Sequence, residues 1–126
     1  MDLFERLTEL SSQAGDWEAT RKLAQRWLAV SPLQPAPHRI AAKAAEELQD
    51  LGLAIGSYRV MLLLEPIDIA DLHLRLATAL QRNGDLANAK RHALLALEEA
   101  PRFRAAHRRL LEIIQASSIE AEEKKP

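Results

Sequence analysis

The chain carries four histidines and no cysteine. Histidine is the side chain best suited to proton transfer near neutral pH and to ligating divalent metals. Three of the four, His38, His73 and His107, recur at one place in a repeating layout marked by Pro32, Pro66 and Pro101, which stand 34 and 35 residues apart. Three histidines in series suggest a metal, but stacked helices sit about 10 Å apart. A metal–nitrogen bond is only about 2.0–2.1 Å, so one ion cannot reach three such positions. The recurrence instead predicts a packing position at a hairpin interface, with the polar tip reaching solvent. His92 lies outside the pattern and forms no recognisable ligand pair. No metal and no cofactor are expected.

Nucleophilic chemistry finds no better footing. Thr8, Ser11, Ser12, Ser31, Ser57 and Thr78 have no histidine placed beside them by a matching motif, and no Gly-rich phosphate loop is present. The absence of cysteine excludes disulfides, thiolate metal sites and cysteine nucleophiles. The sequence is therefore read as non-enzymatic. One end is locally basic, with Lys90, Arg91, Arg102, Arg104, Arg108 and Arg109. Such a cluster suits an anionic partner, an acidic protein or RNA. Phe103 is the only aromatic among these residues, thin support for base stacking, and nucleic acid is disfavoured.

Composition agrees. Lys plus Arg is 17 and Asp plus Glu is 18, a formal charge of -1, without the basic excess of a dedicated nucleic-acid binder. Hydrophobic residues are 48% and charged residues 28%, ordinary for one globular domain. The first residues, Met1 to Arg6, have no long apolar run and do not form a signal peptide. The longest apolar stretch, 60–64, cannot span a bilayer. A reducing, cytoplasmic location is the expectation.

The elements that position these residues are helices. Ala, Leu, Glu, Arg and Gln dominate, and glycine is limited to four positions. Leu3, Leu7, Leu10 and Ala14 follow a three-to-four-residue rhythm that Gly15-Asp16 breaks. Leu23, Trp27, Leu28 and Val30 continue a second helix to Ser31-Pro32. Leu72, Leu76, Ala79 and Leu80, the turn Asn83-Gly84-Asp85, and Leu86 to Leu97 repeat this plan before Pro101. Between them, Pro37 to Leu48 and Ala54 to Leu62 form a degenerate copy whose turn, Gln49-Asp50-Leu51-Gly52, lacks the Gly-Asp pair. Gly56 inside its second helix is read either as a site of close helix contact or as a tolerated surface glycine. Arg104 to Ala116 predicts a seventh helix, and residues 117–126 a polar, disordered tail.

Two helices per 34 residues, small residues at fixed offsets and a closing proline resemble the tetratricopeptide repeat (TPR). With each proline at repeat position 32, Leu76, Ala77, Leu80, Gly84, Asp85, Ala89, Ala96 and Pro101 match in the third repeat, while His73 and Ala93 depart. Phe4, Leu7, Gly15, Asp16, Trp17 and Pro32 match in the first, but Thr20, Ala24 and Trp27 do not; Trp27 is large where a small residue is usual and Ala24 the reverse, a pair of swaps that can compensate in volume. Ala42, Ala54, Tyr58 and Pro66 match in the second. The resemblance implies an all-α, right-handed superhelical solenoid of about seven helices over residues 1–116, with repeats at 1–34, 35–69 and 70–103 and a final helix at 104–116.

The same resemblance implies a protein–protein interaction module that holds a peptide or helix in a concave groove lined by the first helix of each repeat. In this register the groove contacts are Arg39, Lys43, Leu74, Thr78 and Arg108, and the arginines and lysine suit the carboxylates of an acidic peptide. Glu5 and Glu9 occupy positions where some such domains carry a carboxylate clamp, so that clamp is not reproduced. The alternative is an assembly or dimerisation domain excised from a larger protein, packing on its parent chain or on a second copy. Leu111 and Ile113 on the last helix are the candidate dimer edge. The abrupt start at repeat position 1 suggests such an excision, and the stretch from Ala96 to Glu112 resembles the C-terminal repeats of large multidomain bacterial proteins.

Overall fold

A computed structural model describes residues 2–64 and 66–125. These residues form seven helices and no strand, grouped in two compact units, Met1–Pro66 and Ile67–Pro126. The first unit contains α1 (Leu3–Gln13), α2 (Trp17–Val30), α3 (Pro35–Glu47) and α4 (Leu51–Leu63). Here α1 packs on α2 and lightly on α3, α2 packs on α3, and α3 packs on α4. The second unit contains α5 (Ile69–Arg82), α6 (Leu86–Glu99) and α7 (Arg104–Glu123); α6 packs against both neighbours, and α7 also touches α5.

The hairpin turns explain why the chain reverses where it does. Gly15 and Gly84 adopt positive φ, 74° and 85°, after the C-caps Ala14 and Asn83. The next amide, Asp16 or Asp85, donates back to the carbonyl of Ser11 (3.0 Å) or Leu80 (2.9 Å), closing a Schellman turn. Each aspartate then caps the following helix, its carboxylate accepting from the amide of Ala19 or Asn88 at 3.2 Å. One dipeptide thus ends one helix and starts the next.

The middle turn makes the same bonds without glycine. Gln49 takes the left-handed conformation, φ 62°, Asp50 donates to the Ala45 carbonyl at 2.8 Å, and the Asp50 carboxylate caps Leu53. Gly52, expected in the turn, lies inside α4. The turn is degenerate in sequence but not in backbone, because the aspartate cap and the Schellman bonds hold Gln49 where glycine would be preferred.

Small residues fill the helix interfaces. Ala41, Ala42, Ala44, Ala45 and Ala54 are buried in the first unit, and Ala77, Ala79, Ala89, Ala93 and Ala96 in the second, beside Leu76 and Leu80. In the first repeat Ala24 and Trp27 are both buried, and the Trp27 ring lies nearly parallel to Phe4 at 6.4 Å between centres. Thr20, fully buried where alanine is usual, satisfies its hydroxyl against the Asp16 carbonyl (2.9 Å) and Ser11 Oγ (2.7 Å). The Trp27 indole N–H has no hydrogen-bond partner among the described residues, the cost of placing a large polar-tipped ring at a small-residue site.

One open alternative is decided and one expectation is corrected. Gly56 is exposed and a Cβ built on it meets nothing within 4 Å, so it marks no close helix contact. Helix α7 does not stop at Ala116 but continues to Glu123, through most of the stretch read as a disordered tail. Ala and Glu in 120–123 are good helix formers, and Lys124 Nζ reaches Glu120 at 3.1 Å across one turn. Among the described residues no helix is long and apolar enough to cross a membrane.

The α3–α4 turn and helix α4 each predict a gain from a single substitution. Gln49→Gly removes a left-handed non-glycine residue, and Gly56→Ala removes a mid-helix glycine. Each is expected to raise unfolding free energy by about 0.5–1 kcal/mol, read as a higher urea midpoint with an unchanged slope.

Candidate interaction surface

The five residues assigned to a groove by sequence fall on three helices. Arg39 and Lys43 are one turn apart on α3, and both are exposed. Lys43 Nζ lies 5.5 Å from the centre of the half-buried Trp17 ring at the start of α2, so its charge sits over an aromatic face. This edge of the first unit therefore offers two cations and one indole.

In the second unit Leu74, Thr78 and Arg108 come together. With Ala105, Arg109 and Glu112 they line a shallow groove of about 100 Å³ between α5 and α7. Leu74 and Thr78 are half-buried and Arg108 is exposed. The Thr78 hydroxyl donates to the Leu74 carbonyl at 2.9 Å, and its methyl is left as the contact it can offer. The two arginines differ in commitment. Arg109 donates to Gln81 Oε1 (3.2 Å) on α5 and to Glu112 Oε2 (3.0 Å) on its own helix, which pins α7 to α5. Arg108 is the cation that projects at the groove's rim. By sequence Arg109 is only one member of the basic end, and the signal for its role was Glu112 three residues on.

The candidate dimer edge needs correction. Ile113 is fully buried within its own unit, whereas Leu111 is 61% exposed. Two residues are 200° apart on a helix, so a core residue and its second neighbour face opposite ways. Ile114 and Ile119 are the other exposed large apolar residues of α7 among the described residues.

The histidines are brought to two different ends. The His38 and His107 Nε2 groups lie 2.7 Å and 2.8 Å from the carbonyls of Pro32 and Pro101, six residues earlier, and tie each closing proline to the next helix. His73 follows Pro66 by seven residues and makes no such bond. It turns to α6 instead, its Nδ1 3.0 Å from Nδ1 of His92. His92, read as isolated, therefore has a partner; the extra residue after Pro66 was the only sequence sign that His73 would differ. Among the described residues no group of three or more His, Cys, Asp or Glu is arranged to hold a metal.

The first unit and the groove of the second together have the helix–turn–helix units and small-residue interfaces of a known architecture. The chain is similar to the first TPR domain of Spaghetti (RPAP3) bound to the HSP90 peptide SRMEEVD, with a TM-score of 0.80 at 18% identity over 92% of this chain and 91% of that one. The chain has a tetratricopeptide-like fold. It is also similar to MamA, TM-score 0.83 at 14% identity over 91% of this chain and 62% of that one. It is similar as well to the Yersinia enterocolitica type III secretion chaperone SycD in complex with a peptide of the translocator YopD, TM-score 0.74 at 22% identity over 96% of each chain. No family model matches the sequence, and no curated protein does.

Burial lowers the pKa of His73, against the opposing pull of Glu99 and Glu98. The unfolded chain thus binds more protons than the folded one once pH falls below the ordinary histidine value of about 6.5. The stability this neutral imidazole contributes is complete above that pH and is lost as pH falls towards its folded pKa. The urea midpoint is expected to drop between pH 7.5 and 5.5, and to drop less in His73→Gln.

Proposed function

We propose that the chain is a non-catalytic protein-interaction module that binds an acidic peptide or helix through Arg39 and Lys43 on α3 and through Leu74, Thr78 and Arg108 in the α5–α7 groove. The observation that carries the reading is the groove itself. It combines an aliphatic wall, a threonine methyl and one exposed guanidinium, the features an extended peptide with a carboxylate side chain or terminus would use. Arg39 and Lys43 add a second cationic contact beside Trp17. The TPR domain of Spaghetti and SycD were each solved with a bound peptide, which supports a peptide as the ligand class. Exposed charges of this kind act mainly on encounter rate and specificity and are screened by salt.

Arg39→Glu/Lys43→Glu and, separately, Arg108→Glu test it. All three residues are exposed, so folding should be unchanged. Pull-downs with the wild type and each variant, followed by titration of the recovered peptide, are expected to show at least about tenfold weaker binding, with the loss shrinking as salt is raised. Recovery of the same partners at the same affinity by all three proteins would discard the groove assignment.

A second reading, assembly with another copy, is favoured by the apolar outer face of α7, where Leu111, Ile114 and Ile119 are exposed. It predicts a dimer by light scattering that Leu111→Glu converts to monomer. A monomer at all concentrations removes it.

A further inference from the structure

Helix α6 packs against α5 and α7, and a third side of it is bare. Along that side Ala87, Lys90, Arg91, Leu94, Leu95 and Glu98 line a shallow groove of about 330 Å³. Leu94 is 43% exposed there, and Lys90, Arg91 and Glu98 are exposed as well. None of these three charges has a salt-bridge partner among the described residues. The strip shares no residue with the α5–α7 groove or with the apolar face of α7.

The order of side chains along the strip is antisymmetric in charge. The run from Lys90 to Glu99 has the cations Lys90 and Arg91 at one end, the anions Glu98 and Glu99 at the other, and Leu94 and Leu95 at its midpoint. Helical geometry puts the decisive pair on one line. Arg91 and Glu98 stand two turns apart, so they point within about 20° of each other and lie about 10 Å apart along the axis. Leu94 and Leu95 fall between them in height, about 50° to either side of that line.

We propose that the outer face of α6 is a homodimer interface, on which a second copy of this chain docks its own α6 antiparallel, about a two-fold axis passing between Leu94 and Leu95. Reversal about that midpoint exchanges positions 91 and 98. Arg91 then meets Glu98 of the second copy, and Glu98 meets Arg91 of the second copy, so one pairing is made twice. The leucine pairs meet in the middle and leave water together. Lys90, on the flank, adds its charge beside the same carboxylate. A parallel pairing would instead set like charge on like charge at both positions. The charges therefore fix direction and register, while the leucines supply the burial. A helix of another protein would need the order cation, leucine pair, anion from its own N-terminal end, and α6 already has it. The contact is one face of a 14-residue helix. It is smaller than a standard stable interface, so the dimer is a weak one.

The test is sedimentation of the untagged chain across a range of concentrations. The wild type is run beside Arg91→Glu, Glu98→Arg, the double variant Arg91→Glu/Glu98→Arg, and an equimolar mixture of the two single variants. The wild type should show a reversible monomer–dimer equilibrium by about 1 mM, weakened as salt is raised. Each single variant sets like charges opposite each other and should dimerise at least about tenfold more weakly. The double variant restores opposite signs at both contacts and should recover wild-type dimerisation. The mixture should recover it as a heterodimer, because one copy then carries two glutamates at positions 91 and 98 and the other two arginines. Recovery on mixing also shows that both single variants are folded. Leu111→Glu, which tests the α7 face, should leave this dimer intact. A wild type that stays monomeric at about 1 mM overturns the proposal and leaves the strip to another kind of partner. A dimer that Leu111→Glu abolishes, or that neither charge reversal weakens, overturns it in favour of the α7 face. Failure of both the double variant and the mixture to recover the dimer overturns the antiparallel pairing.

Discussion

Each hairpin depends on two consecutive residues: one that turns through the left-handed region and an aspartate that follows it. The first releases the helix, and the second takes the released carbonyl through its amide while its carboxylate collects an amide of the next helix. The four amides left open at a helix's start and the four carbonyls left open at its end make such a device necessary. Where the paired helices approach most closely, alanines such as Ala24, Ala54 and Ala89 and the self-satisfied Thr20 are fully buried, beside larger residues such as Trp27, Leu76 and Leu80. Arg39 and Lys43 share one exposed strip of α3, and Leu74 and Thr78 one strip of α5, because residues four apart lie on one helix face.

The middle turn shows how far the rule can be bent. Gln49 stands where glycine is easier, yet every bond of the motif is present. The residue types of 49–52 mark a degenerate turn that lacks the Gly-Asp pair, with Gly52 as its only glycine. Asp50, through its amide and its carboxylate, is the stronger constraint. A similar lesson holds at the proline ends, where six residues place a histidine on a proline carbonyl and seven send it to another helix.

The candidate interaction surface is a mixture of fixed and projecting charge. Arg109 is held by Gln81 and Glu112 and orders α7 against α5, while Arg108, one residue away, stands at the rim of the groove. Neighbouring arginines on a helix point 100° apart, so one can be structural and the next available to a ligand. Lys43 is intermediate, since its charge rests over Trp17 yet the side chain remains exposed.

Helix positions, hairpin plan and the all-helical, tetratricopeptide-like character were legible in the sequence alone, because helix periodicity, capping aspartates and helix-ending prolines act within a few residues. The helix of 117–123 was not, because its polar residues carry no periodic apolar face and are held by propensity and one local ion pair. Which of Leu111 and Ile113 is buried, which arginine faces the groove, and the meeting of His73 with His92 were decided only by the tertiary structure. Each depends on the rotation of one helix about its axis against another. That rotation is set by the sum of side-chain contacts across the interface, a quantity that no spacing along a single helix contains.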